Sequence, residues 1–269
     1  MPRRYLAPSV FWSLRQGFPR WLSWMLSIAA LVIPLLLWTF LSQTGWTNPV
    51  FLPSPLAVLQ AGGELIQSGD LLLDVYASCY RVFWGFVAAA AIGIPLGIAM
   101  GTFHSMESLF GPIVGTVRYM PIVALVPLII IWAGLGEMAK ILIVLLGIVF
   151  FNAIMIADAV KFIPDEWLNV AYTLGANRWQ VVRRVIVPAI VPSMIDTLRV
   201  NIAGAWNLLV VSELIAAENG LGFRIVQSQR FLQTDRVLFG IAVIGLIGLL
   251  TDYGFKLLAR WITPWTERS

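Results

Sequence analysis

The 269 residues include one cysteine and one histidine. That leaves no partner for an internal disulfide and no neighbouring ligands for a metal site at Cys79 or His104. Both are read as packing or interfacial residues. No glycine is followed by lysine, so the phosphate-binding loop GxxxxGK[ST] is missing, and with it any P-loop ATPase activity. Gly-x-Ser-x-Gly and His-Glu-x-x-His are also absent, and no acid pair falls in a plausible pocket. The chain is therefore expected to be no enzyme, with no catalytic residues, no metal ligands and no cofactor of its own.

Charge is scarce as well: Asp, Glu, Lys and Arg make up 12% of the residues against 59% apolar ones, and the mean hydropathy is +0.85. So much apolar surface exceeds what a soluble domain can cover. The chain is expected to be an all-α integral membrane protein. A crossing needs about 20 apolar residues, and six such spans fit near 22–41, 80–101, 112–132, 140–158, 189–211 and 237–258. They fill residues 1–269 as a single transmembrane domain, with an N-terminal helix over 22–41 and a core over about 75–260, and leave no room for a soluble one.

Arg3, Arg4, Arg15 and Arg20 precede the first span without an acid. That span is longer than the 7 to 15 residues of a secretory signal core and is read as a retained helix. The basic end is placed in the cytoplasm, because Gln43 to Cys79 carries Glu64, Asp70 and Asp74 and no Lys or Arg. Six crossings return the C-terminus, with Lys256, Arg260 and Arg268, to the same side. One external loop departs from the pattern: Glu213 to Arg236 contains Arg224, Arg230 and Arg236. The net charge of +4 reflects orientation and contact with anionic lipid; no nucleic-acid binding is read from it.

Within the spans, Gly85, Ala89, Gly93, Gly97 and Gly101 recur at intervals of four and line up as a ridge without side chains, a face for close helix packing. Residues 48–79 begin with three prolines and suit a surface helix or an external connection. The third span holds Pro112, Pro121 and Pro127 with Arg118 close to its cytoplasmic end; prolines bend helices, and bent, charge-bearing spans border cavities. In the fifth span Asp196, Arg199, Ala203, Asn207 and Val210 share one face, with Asn201 and Trp206 to the side. Asp196 and Arg199 are expected to form an interfacial pair. Arg118, Asn207 and Glu213 are candidates for lining a translocation path.

Between the fourth and fifth spans lies a polar, basic segment over 164–188, with DEWLNVAYTLGANRWQVVRRVIVP from Asp165 to Pro188. It cannot lie in lipid. Asp165 and Glu166 follow Pro164 at the position of a helix start, where acids complement the dipole. Leu168, Ala171, Tyr172 and Gly175 follow helical spacing, and Gly175 can supply a left-handed helix end.

This segment resembles the EAA loop of ATP-binding-cassette importer permeases. The family pattern is Glu-Ala-Ala, three residues, Gly, nine residues, then Ile-x-Leu-Pro; here Asn169-Val170-Ala171, Gly175 and Val185-Ile186-Val187-Pro188 keep every interval. Asn169 stands for the usual Glu and Val170 for Ala. FLPSP (51–55), AIGIPLGIAMG (91–101), RYMPIVALVPLIIIWAGLGEMAKI (118–141) and AWNLLVVSELIAAENGLGF (205–223) extend the likeness to the branch for taurine, alkanesulfonates, nitrate and bicarbonate. The C-terminal GIAVIGLIGLL and RWITPW look most like taurine and sulfonate permeases.

The resemblance implies six transmembrane helices with a five-helix type I importer permease core and a cytoplasmic coupling helix. It implies a multi-pass chain in the bacterial cytoplasmic (inner) membrane that works with a second permease copy. Nucleotide-binding ATPase subunits, holding ATP and magnesium, and a periplasmic or lipid-anchored solute-binding protein complete the assembly. ATPase coupling then falls to Asn169, Ala171, Tyr172, Leu174, Gly175, Ala176 and Arg178. The rival reading is a secondary transporter or channel that needs no ATPase.

Overall fold

A computed structural model describes residues 19–45 and 47–265. Of the basic residues used to orient the chain, Arg3, Arg4, Arg15 and Arg268 lie outside the described residues. The first crossing is α1 (Arg20–Gln43), after which α2 (Pro55–Gln67) leads into α3 (Asp70–Thr102). The third crossing is divided between α4 (His104–Val117) and α5 (Ile122–Ala133), and α6 (Glu137–Lys161) is the fourth. Short helices α7 (Asp165–Thr173) and α8 (Arg178–Val181) precede α9 (Val187–Ala216); after α10 (Leu221–Arg230) comes the last crossing, α11 (Thr234–Ile262). No strand occurs among the described residues. Among the described residues five helices are long and apolar enough to cross a bilayer, and α4 with α5, taken as one bent span, makes a sixth.

The centre of the molecule is the pair α3 and α6, which run parallel because the α4–α5 crossing returns the chain between them. The glycine ridge is what lets them meet. A Cβ on Gly93 would lie 2.8 Å from Val149 O, one on Gly97 2.5 Å from Ala153 O, and one on Gly101 2.7 Å from Ala157 O; only glycine allows backbones so near. Around this seam Val82, Phe86, Val144, Ile148, Ile202, Trp206 and Leu209 join α9 into one core. By contrast α1 buries none of its residues against the rest of the chain; Trp38 Nε1 ties it to the loop just before α2, donating to Pro53 O at 3.0 Å.

Residues 48–79 hold a short helix, α2, of the kind expected there, and then the first turns of α3. Ser54 caps α2, accepting from Ala57 N at 3.2 Å with Pro55 as the first helical residue, the arrangement that starts a helix. Then α3 begins at Asp70, about ten residues before the expected span. Asp74 and Ser78 can enter the helix this early because Glu213 on α9 and the backbone and Arg224 around the start of α10 satisfy them.

The expected third span is also corrected. It is not one continuous helix: α4 and α5 meet at 101° across Arg118–Pro121. Pro112 and Pro127 sit inside α4 and α5 without ending them, whereas Pro121 forces the preceding residue out of helical backbone and breaks the run. Because Val114 packs on Ala153 and Ala157 while Val126 and Ile129 pack on Ala139 and Ile143, the elbow lies half-way along α6. Arg118 is therefore at mid-depth and not near the end of a span.

The coupling segment, the broken helix and a buried ion cluster

The segment from Asp165 to Ile186 caps one end of the bundle. Pro164 precedes α7, and Asp165 and Glu166 occupy its first turn. Gly175, at φ +84°, ends the helix: its N–H donates to Tyr172 O at 2.9 Å, and the next, that of Ala176, reaches Ala171 O at 3.0 Å. Asn177 and Gln180 then form a reciprocal capping box that starts α8. Below it, Val187 N donates to Val182 O across a π-turn spanning Val182–Ile186, ahead of Pro188, which has no N–H to continue the regular ladder. The run Arg178–Leu214 is thus one continuous element from the surface into the membrane.

The seven coupling candidates separate into two sets. Ala171 and Ala176 face inward, packed with Leu168 against Ile156, Val160, Val181, Ile186 and Ile190; they anchor the segment. Asn169, Tyr172, Leu174, Gly175 and Arg178 are exposed. Leu174, at the tip, is 82% exposed. Trp167 and Val170, exposed beside these, were missed by motif matching, although their place opposite Leu168 and Ala171 on an amphipathic nine-residue helix was the available signal. Phe103 and Trp179 meet edge to face at 6.0 Å, and Lys161 pairs with Glu107; together they brace α8, α4 and α6 at this end.

The three path candidates do not converge. Arg118 sits at the elbow, where Nη2 donates to Tyr119 Oη at 2.8 Å and the guanidinium lies 4.7 Å from the Tyr119 ring centroid. Asn207 is exposed on α9 and donates only to its own helix, to Ala203 O at 3.2 Å. Glu213 is elsewhere and 1% exposed. Its Oε1 accepts from Ser78 Oγ at 2.8 Å and Arg81 Nη1 at 2.6 Å, and its Oε2 from Gly222 N at 2.7 Å. Buried and held by three donors, that carboxylate is committed to the protein's own groups.

Around Glu213 is a cluster at the bundle end opposite α7. Arg81, fully buried, also donates from Nε to Glu137 Oε2 at 2.6 Å and from Nη1 to Asn219 O at 2.8 Å. Gly220 N donates to Asp74 Oδ1 at 2.7 Å, and Arg224 Nε to Asp74 Oδ2 at 2.6 Å. Arg236 pairs with Glu64 at 3.1 Å. Two of the three arginines that break the charge pattern are thus matched to acids on α2 and α3. The cluster was overlooked because Arg81 falls at the edge of an apolar run; an ionisable side chain there is itself the signal.

The expected pair Asp196 and Arg199 is present at 3.4 Å. Arg199 makes a closer contact, 3.0 Å, with Asp252 on α11, which Lys256 also holds. Among the described residues no group of His, Cys, Asp and Glu could hold a metal ion.

Residues 93–264 match the family described as binding-protein-dependent transport system inner membrane component. The chain belongs to this family. It is similar to the taurine transport system permease protein TauC of Escherichia coli K12, 38% identical with 89% of each chain covered. It is also similar to the putative aliphatic sulfonates transport permease protein SsuC of Bacillus subtilis, 31% identical over 90% of this chain and 88% of that one. Among solved structures, an inward-facing MetNI methionine ABC transporter chain superimposes with a TM-score of 0.67 at 19% identity, covering 73% of this chain and 98% of its own. A chain of a bacterial alginate ABC importer gives 0.65 at 14% identity, covering 90% and 96%. These two likenesses establish the fold, an all-α membrane bundle of importer-permease type.

As a member of this family the chain is a multi-pass inner-membrane permease of the ATP-binding-cassette importer class, a kind of subunit that is normally non-catalytic. The rival, an ATPase-independent transporter or channel, has no support among these relatives.

Proposed function

We propose that two copies of this chain enclose a path for a small anion, and that cytoplasmic ATPases drive it by gripping the α7–α8 segment. The carrying observation is the shape of that segment. An apolar tip, Trp167, Val170 and Leu174, stands out from the bundle on a base fixed by the inward packing of Leu168, Ala171 and Ala176. A protruding apolar patch marks a protein contact, and a stiff base passes motion on instead of absorbing it. Asn169, Tyr172, Gly175 and Arg178 surround the tip and complete the docking face. ATP and magnesium act in the ATPases; this chain contributes shape and a path.

The distribution of charge supports one orientation. Arg20, Lys161, Arg178, Arg183, Arg184, Lys256 and Arg260 gather at the α7 end, and the basic end of a membrane protein faces the cytoplasm. Both termini then lie on that side, and α10 with its ion cluster faces the periplasmic or lipid-anchored solute-binding protein that delivers cargo. The relatives named for taurine and sulfonates support an organic sulfonate as that cargo, with nitrate or bicarbonate as the other members of the class. Arg118 and Asn207 are assigned to the path on the ground that each leaves polar groups unmatched within its own chain.

Copurification tests this reading. The tagged chain is expected to retain a nucleotide-binding subunit, and vesicles holding the whole complex to accumulate a sulfonate only with ATP and the binding protein. Solute flux through the purified chain alone would refute it.

A further inference from the structure

Beside the elbow between α4 and α5 is a cavity of about 460 Å³. We propose that it is a mid-membrane station for one small oxyanion, with Arg118 as the group that takes the charge; the inference rests on the permease reading given above. Arg118, Ile122, Gly147, Phe151, Asn201 and Gly204 form its walls. Gly147 and Phe151 belong to the middle turns of α6, and Asn201 and Gly204 to the middle of α9.

Three features identify what the cavity takes. The first is an unbalanced cation. Arg118 meets no acid among the described residues, its hydrogen bond goes to the neutral Tyr119 hydroxyl, and its Nε is buried without a partner. A guanidinium at mid-depth is costly unless something compensates its charge, and an oxyanion matches its planar donors. The second is the start of α5, which opens onto the same space at Ile122. No side chain caps that helix end, so its first N–H groups and the positive pole of a twelve-residue helix favour an anion at the same place.

The third is depth and size. A lipid phosphate lies beyond the hydrocarbon half-thickness of about 15 Å from the bilayer centre, too far to serve as the counter-ion at the middle turns of α6. The walls other than Arg118 and Asn201 are apolar. Asn201 is held in place by its hydrogen bond to Asn152 Oδ1 at 2.7 Å, which fixes one polar point on the wall facing Arg118. Dry walls strengthen the interaction of the guanidinium with a small charged guest.

The test uses the whole complex, permease with its ATPases and binding protein, in proteoliposomes, with taurine, ethanesulfonate, nitrate and bicarbonate as probes. Arg118→Gln is expected to cut uptake of the transported anion at least about tenfold, as loss of one charge-assisted hydrogen-bonding group should, with the ATPase subunits still retained on copurification. Arg118→Lys, which keeps the charge without the fork, should fall between them. Uptake by Arg118→Gln at the wild-type rate would overturn the proposal. So would separation of the two permease copies in that variant on size-exclusion chromatography, since the counter-ion of Arg118 would then be an acid of the second copy. A wild-type complex that retains its ATPases but moves none of the four anions sinks the station; a chain that retains no ATPase sinks the permease reading itself.

Discussion

Arg81 and Glu213 are 132 residues apart in the chain and meet through a 2.6 Å contact between Nη1 and Oε1, both side chains withdrawn from solvent. The contact ties α3 to the end of α9, and through Glu137 and Asn219 to the start of α6 and the turn before α10. Such a pair adds little over a well-packed apolar one, but removal of one partner leaves a buried charge, at a cost of about 3–5 kcal/mol. Glu213→Ala is therefore expected to lower the thermal unfolding temperature in detergent strongly. Glu213→Gln, whose carbonyl oxygen can still accept from Ser78 or Arg81, should lower it less. Equal melting of the two variants with wild type would show that the cluster does not hold this end together.

The seam between α3 and α6 makes a second expectation. Replacing Gly97 by leucine puts a branched side chain where a Cβ alone would already lie 2.5 Å from Ala153 O. Overpacking costs about 1–3 kcal/mol when side chains can give way, and here the obstacle is backbone, so the cost should reach the top of that range or pass it. Gly115, whose Cβ would meet nothing within 4 Å, is the control: Gly115→Ala should change the unfolding temperature little.

Six crossings, the glycine ridge, the α7 start and the Gly175 turn were legible because each rests on local spacing: apolar length, a repeat of four, an acid after proline, a glycine at a helix end. What could not be read depends on pairing across the chain. Asp74, Ser78 and Arg81 look like the end of an apolar span until Glu213, Gly220 and Arg224 are brought to them. Glu213 looked like a path residue for the same reason, since its partners are distant in sequence. The elbow was half legible: three prolines announced a bend, but only the packing of α4 and α5 on successive halves of α6 shows that the chain breaks before Pro121 and not at Pro112 or Pro127.

Gly175 distinguishes docking from folding. Its φ of +84° strains any other residue, yet a Cβ there would touch nothing within 4 Å. Gly175→Ala should cost about 1 kcal/mol of backbone strain and leave transport nearly intact. Gly175→Trp adds the same strain plus a bulky group beside the exposed Leu174, and should release the ATPase on copurification or uncouple ATP turnover from uptake. Normal uptake by the tryptophan variant would remove the α7 tip from the docking face.

The arginines of the Glu213 to Arg236 stretch offer a simple way to draw anions toward the membrane, and the geometry argues against it for two of them. Arg224 is matched by Asp74 and Asp70, and Arg236 by Glu64. Paired charges project a weak net field. Arg236→Gln is expected to leave the KM for uptake within about twofold, because a half-exposed ion pair contributes at most about 1 kcal/mol. Steep salt dependence of uptake that disappears in this variant would restore the attraction model.

The π-turn above α9 links the proposed docking face to the membrane, and Pro188 is its cause in physical terms. Proline has no N–H to give to the carbonyl four residues earlier, and its ring crowds that carbonyl; the wider turn over Val182–Ile186, closed by Val187 N to Val182 O, relieves the crowding. Pro188→Ala restores the donor, so the segment can relax to regular α-helix and gain about 1 kcal/mol or more in stability. Dropping the extra residue of a π-turn would rotate everything N-terminal to it, including α8 and the Trp179 contact with Phe103, relative to α9. The expected outcome is a variant that melts no lower than wild type but uses more ATP per solute moved, measured as the ratio of phosphate released to sulfonate accumulated in proteoliposomes. An unchanged ratio would mean that the turn is a packing accommodation with no part in passing motion from α7 into the membrane.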